Sequence, residues 1–164
     1  MNTLHKIDHS AMRISQVTII LLNVLAFILN TYWITALTAA AMLLGTLLGV
    51  PGFGWIYRLL LKPLGLIKPD VLLDHPEPHR FAQGLGGAFM TAGTVALMLG
   101  AAGIGWTLVW MVAGLAALNA FAGFCAGCMI YYWLARLHVP GFDQAPPDGG
   151  LPGMRPKTRP SLND

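Results

Sequence analysis

Charge is what this sequence has least of. Asp, Glu, Lys and Arg make up 10% of its 164 residues, against about 25% in soluble domains. Together with 55% hydrophobic residues and a mean hydropathy of +0.62, the deficit excludes an ordinary soluble domain and points to a membrane protein. A basic patch interleaved with aromatics is missing as well, and the net charge is only +3, which excludes nucleic acid as a partner. Cysteine is almost absent. The two present, Cys125 and Cys128, are too few for a disulfide-stapled secreted scaffold. No histidine follows their C-x-x-C spacing, so attachment of a c-type haem has no support. The sequence calls for no cofactor, and nothing in it speaks for a quinone acceptor. The first apolar tract is too long for the core of a cleavable signal and runs straight into a second, so no signal peptide is expected.

The charges that exist fall into three blocks, at 6–13, 58–80 and 136–164. Between them run 44 and then 55 uncharged residues. A spanning helix needs about 20 residues, so each tract suits two spans. Backbone polar groups in lipid must be paired within the chain, which makes the expected fold all-α. Four transmembrane helices are expected near 14–31, 33–50, 83–102 and 105–124, as two tandem helical hairpins. Asn30-Thr31 and Gly103-Ile104-Gly105 are the expected turns. Both turns are uncharged and the three blocks share the other side, so the positive-inside rule places the N and C termini in the cytoplasm. The domain reading is a membrane domain over 1–138, with hairpins 7–62 and 73–138, followed by a Pro/Gly-rich cytoplasmic tail, 139–164, disordered or docked on a partner. Between the hairpins, Phe53–Lys62 reads as a short interfacial helix with Trp55 and Tyr57 at headgroup level. The proline-bearing stretch 63–79 reads as an irregular loop, which would leave His75 and His79 exposed.

The two halves look alike. Ile7-Asp-His followed by Arg13-Ile-Ser-Gln16 matches Leu73-Asp-His followed by Arg80-Phe-Ala-Gln83. Each hairpin closes on Gly-Phe, aromatics and an Arg, at Gly52–Arg58 and at Gly123–Arg136. Such a repeat implies a pseudo-symmetry axis along the membrane normal. It places Arg13 and Arg80 at equivalent mouths of two spans, to snorkel or to pair with Asp8 and Asp74.

By the same repeat Gly123 matches the break at Pro51-Gly52, which would put Cys125 at a helix N-terminus; a continuous helix would instead leave both sulfurs on one face. Three readings of the pair stay open. Cys125 and Cys128 are small packing residues on a Gly123/Gly127 and Ala122/Ala126 face, or a redox or sulfur-carrying dithiol facing a reducing compartment, or ligands of a metal shared with His75, His79 or Glu77. Tyr131, Tyr132 and Trp133 read as an aromatic belt.

The combination of Asp-x-x-x-x-Arg-x-x-Gln, Pro78-His-Arg-Phe-Ala-Gln83 and Leu118-Asn-Ala-Phe-Ala-Gly-Phe-Cys-Ala-Gly-Cys128 resembles the bacterial integral-membrane family called domain of unknown function 4395, over roughly residues 7–137. The first half departs mildly, with Arg-Ile-Ser-Gln where Arg-Phe-x-Gln is usual. The resemblance implies a bacterial cytoplasmic (inner) membrane location and a link to sulfur or thiol traffic with a thioredoxin-like or rhodanese-like protein. It implies Cys125, Cys128, Arg80, Gln83 and Asn119 as functional positions, but no reaction. Asn119, an amide in an apolar helix shortly before Cys125, reads as an interhelical bond or as a polariser of the thiols, and His79 as their proton donor or acceptor. The functional expectation is therefore a multi-pass protein whose cytoplasmic dithiol exchanges electrons or sulfane sulfur with a soluble partner. The alternative is a non-catalytic packing subunit of a larger membrane complex, consistent with the few polar residues in the spans, the small-residue faces and the tail.

Overall fold

The computed structural model describes residues 5–65, 67, 69–147, 151–156 and 158. Lys68, Asp148, Lys157, Arg159 and Asp164 of the charged blocks, and both chain ends, lie outside the described residues.

Asp8 opens the first helix. Its carboxylate accepts the Ser10 N–H at 3.0 Å, the standard N-cap contact, and α1 runs His9–Ile28, beginning before the expected residue 14. The chain reverses at Asn30, whose φ of +47° suits a residue tolerant of the left-handed region. Helix α2 (Tyr32–Leu48) follows. A short helix, α3 (Gly54–Ile56), continues as a π-helical turn, Tyr57–Leu61. Helix α4 (Pro76–Met98) carries proline in its first turn, where the missing N–H has no intrahelical partner to lose. Helix α5 (Ala102–Ala117) ends in a π-helical turn, Leu118–Ala122, and α6 (Ala126–Arg136) completes the order.

Three helices are long and apolar enough to cross a membrane: His9–Ile28, Pro76–Met98 and Ala102–Ala122. Helix α2, at 17 residues, is shorter. Their outer faces expose Leu21, Ile28, Leu99 and Phe121, a surface that only lipid or a partner would cover. Inside, Ile19, Met42, Met90, Val109 and Val112 form the bundle core.

Several expectations need correction. The second hairpin turns at Gly100, whose φ is +81°, and not at Gly103-Ile104-Gly105, which lie inside α5. The fold is not purely helical. A two-stranded antiparallel ribbon pairs β1 (His5–Asp8) with β2 (Val71–Asp74), His5 opposite Asp74 and Asp8 opposite Val71. So the stretch 63–79 is no irregular loop throughout: its end supplies a strand and the first turn of α4. His75 is buried and His79 half-buried on that helix. Tyr57, Tyr131 and Tyr132 are buried within the chain, while Trp55 and Trp133 are exposed. Tyr131 packs on Phe142, with ring centroids 5.0 Å apart, and Phe142 on Phe81 at 5.4 Å. The spans also hold more buried polar groups than expected. Thr94 on α4 donates to Thr35 on α2 at 2.9 Å, and Asn23 on α1 reaches Met90 Sδ at 3.8 Å.

The described part of the tail returns to the chain itself. The Cys125 N–H donates to Gly153 O at 2.7 Å, Arg155 N–H to Gly123 O at 3.0 Å, and Leu73 N–H to Thr158 O at 3.1 Å. Arg155 pairs with Asp70, and Asp70 O accepts the His9 N–H at 2.9 Å. Residues of all three charged blocks thus meet at one end of the bundle.

Candidate functional site

The site is built where the last long helix breaks. Gly123 takes φ +67°, a conformation that costs an L-residue about 1–2 kcal/mol, and this ends the π-helical turn of α5. Phe124 then bridges Met154. Cys125, in extended conformation, is the N-cap of α6, and its Sγ accepts the Cys128 N–H at 3.2 Å. The helix therefore does break at Gly123, and no continuous small-residue face joins Gly123 to Gly127. Gly127 serves closeness instead. A Cβ there would lie 2.5 Å from Ala82 Cβ, so the first turn of α6 rests directly on α4. That contact carries α6 past His79, one turn before Ala82.

Cys125 and Cys128 are joined as a disulfide, and both are buried. Cys128 Sγ stands 3.5 Å from His79 Nδ1. On its other side His79 Nε2 lies 2.8 Å from Asp74 Oδ2. A carboxylate only accepts, so Nε2 carries the proton toward Asp74 and Nδ1 is left to face the sulfur. Asp74 is held in turn by the His75 N–H, at 2.8 Å to Oδ1. His9 Nε2 is 3.3 Å from Oδ2, near enough for an ion pair when protonated but not aligned as a hydrogen bond. The result is a line from sulfur to imidazole to carboxylate.

Burial alone would raise the Asp74 pKa. The contacts from His79 and His9 and the His75 N–H outweigh it, and the carboxyl is held well below the usual carboxylate range. Tyr132, which backs the site, is pushed up by burial and by the negative charge of Asp74.

Arg13 and Arg80 are elsewhere engaged. Neither pairs with Asp8 or Asp74. Arg13 Nε donates to Ala120 O at 2.8 Å, and Arg80 donates through Nε and an NH2 nitrogen to Thr46 O at 3.3 and 3.1 Å. Each arginine thus caps carbonyls at the end of a helix from the other half, a favourable site for a cation. Gln83 Nε2 donates to Met42 O at 2.8 Å and Val50 O at 3.3 Å. Asp8, beyond capping α1, accepts the Asp70 N–H at 3.3 Å. Of the sequence-derived candidates, then, the structure brings His79 to Cys128 and puts Asn119 in the wall of the cavities beside Cys125, while Arg80 and Gln83 hold the end of α2. Sequence reasoning does not single out Asp74 and His9 for the site. Their signal is the Asp-His pair repeated at 8–9 and 74–75.

Among the described residues, two compact groups have the donor chemistry for a metal: His79, Cys125 and Cys128, and His9, Asp74 and His79. His75 and Glu77 belong to neither. With the sulfurs joined, the first group offers no thiolate, and thiolate is the ligand form.

Two cavities meet at the disulfide. One, of about 230 Å³, is lined by Arg13, Asp74, His79, Asn119 and both cysteines. The other, of about 430 Å³, runs between α1, α4 and α5 and also reaches Cys125.

Comparison with curated proteins and with solved structures finds no match. The family model described as Domain of unknown function (DUF4395) matches residues 7–136, a span that holds every member of the sulfur–imidazole–carboxylate line. The chain belongs to the DUF4395 family.

Proposed function

We propose that this protein is a membrane thiol–disulfide exchange protein. The observation that carries the proposal is the alignment of Cys128 Sγ, His79 and Asp74, at 3.5 and 2.8 Å, behind a cysteine that caps a helix N-terminus. A soluble dithiol of the thioredoxin-like kind is the partner. Its thiolate attacks Cys125 Sγ and forms a mixed disulfide, the Cys125–Cys128 bond breaks, and Cys128 leaves with the electron pair. His79, as imidazolium, gives Cys128 its proton from Nδ1, and Asp74 holds the ring for that transfer. The partner's second thiolate then attacks its own bound sulfur, releasing Cys125 as a thiolate stabilised by the N–H groups of the first turn of α6. In reverse, Cys125 is the attacking thiolate and Cys128, deprotonated by His79, resolves the mixed disulfide.

The same reading has four spans, as tandem hairpins 7–62 and 73–138, in the bacterial inner membrane, with the disulfide end toward the cytoplasm. Two features support it. The turns at Asn30 and Gly100 are uncharged, and the residues of the three charged blocks contact one another at the opposite end. Helix α2 then crosses as the shortest span, which local bilayer thinning accommodates.

The test is alkylation in intact cells with a thiol reagent that shifts mass. The pair is expected to cycle between oxidised and reduced, and Cys128→Ala to accumulate a Cys125-linked mixed disulfide with a soluble protein. A pair that never changes state, with Cys125→Ala silent, overturns the proposal.

A further inference from the structure

The 430 Å³ cavity lies within the range of small-molecule sites, about 300–1,000 Å³. It runs along α1, α4 and α5; Ile19, Phe89, Val112 and Leu115 line its apolar part, and Lys6, Asp8, Arg58 and Arg80 also line it. At one end the character changes. Gln16, His79, Asn119 and Cys125 line this cavity and the smaller one alike, so amide donors and an imidazole stand beside the disulfide. An apolar chamber in a membrane bundle admits a lipid-soluble molecule. The polar end asks that molecule for hydrogen-bond acceptors. The sulfur pair asks it to exchange two electrons. A lipid acyl chain meets only the first requirement.

We infer that this cavity binds an isoprenoid quinone whose ring sits at the Gln16–Asn119 end, and that the reduced Cys125–Cys128 pair is oxidised by it. The inference rests on the exchange reading above and names the electron acceptor of that site. As the S–S bond forms, the two thiols give up two electrons and two protons. The ring takes both electrons and its two carbonyl oxygens take the protons, with His79 carrying the proton of Cys128. The Gln16 and Asn119 amides donate to a carbonyl oxygen, and more strongly as negative charge develops there. The net reaction passes electrons from a soluble dithiol to the membrane quinone pool.

The experiment uses the full chain in lipid nanodiscs, pre-reduced and freed of reductant, mixed with a benzoquinone bearing a decyl tail. Quinol formation is read by absorbance, and the two thiols by maleimide mass shift. One quinol per disulfide formed is expected. Leu115→Trp, which fills the chamber, is expected to slow quinone reduction by about tenfold or more while exchange with a soluble dithiol protein stays within about twofold. Asn119→Leu, a milder change, is expected to raise the KM for quinone. If the reduced chain is reoxidised by a soluble disulfide but leaves quinone untouched, the quinone site is wrong and the exchange reading stands. The quinone site is equally wrong if quinone reduction proceeds as fast in both variants as in the parent, since thiols then meet quinone from bulk lipid. If the pair reacts with neither the soluble protein nor quinone, both readings fall.

Discussion

One carboxylate holds the chemistry of this site in place, and the two halves of the chain show how. Asp8 and Asp74 occupy equivalent positions of the repeat, yet Asp8 caps a helix while Asp74 faces His79. Allowing for the one extra residue in the second half, His79 stands where the first half has Met12, and Cys125 stands where it has Gly54. The second half alone carries the reactive groups. His79→Gln removes the proton carrier and should slow exchange by about 10²-fold, read as the rate of mixed-disulfide resolution, with the oxidised protein still folded. Asp74 adds a pH prediction. Its folded-state pKa is depressed, so the stabilisation it supplies is complete above the ordinary carboxylate range and is lost as pH falls below it. Thermal unfolding in detergent should therefore show a drop in midpoint on acidification, and Asp74→Asn should flatten that drop. The C-x-x-C was legible in the sequence, and so was His79 as a proton carrier for it; Asp74 and His9 were not, nor was the helix that carries His79. His79 sits between two prolines and an arginine, a composition that reads as loop, because the sequence does not reveal that Pro76 and Pro78 occupy the one turn of a helix where proline loses no hydrogen bond.

Between the elements, the decisive contact is the strap formed by residues 151–156 and 158. It runs over Cys125, accepting that residue's N–H on Gly153 and tying back through Arg155 to Asp70. Gly153, at φ +85°, lies so near that a Cβ there would fall 2.7 Å from Cys125 O. An incoming partner meets the strap before it meets the sulfur. The Arg155–Asp70 pair is about one-third exposed, and pairs of that kind contribute about 0–1 kcal/mol, a tie weak enough to open. Asp70→Asn is expected to speed maleimide labelling of the reduced thiols by about threefold, the factor that such a loss corresponds to. Labelling no faster than in the parent would mean that the Arg155–Asp70 pair does not hold the strap. The hairpins themselves were readable because 44 and 55 uncharged residues leave lipid few alternatives. The ribbon was not, since four-residue strands are too short to show a period. Neither was the strap, which is held chiefly by backbone hydrogen bonds that no side-chain pattern announces.

At the scale of the whole molecule the halves brace each other. Arg13 of the first caps α5 of the second at Ala120 O, and Arg80 of the second caps α2 of the first at Thr46 O. This exchange draws both charged mouths to the same end as the ribbon and the disulfide. A charged group is costly at the bilayer centre, so the proposed topology puts this end in water, and the uncharged turns at Asn30 and Gly100 lie on the other side if the three long helices and the shorter α2 all cross. In the proposed topology the positive-inside rule assigns this end to the cytoplasm. A membrane-impermeant maleimide should accordingly label the reduced Cys125–Cys128 pair in inverted inner-membrane vesicles and in permeabilised cells, but not in intact spheroplasts. A single cysteine introduced at Asn30 or Gly100, in a chain with Cys125 and Cys128 replaced by Ala, should show the opposite pattern. Labelling of Asn30→Cys from the same side as the native pair would mean that α2 does not cross, and the first hairpin would have to be redrawn as one span and one buried helix.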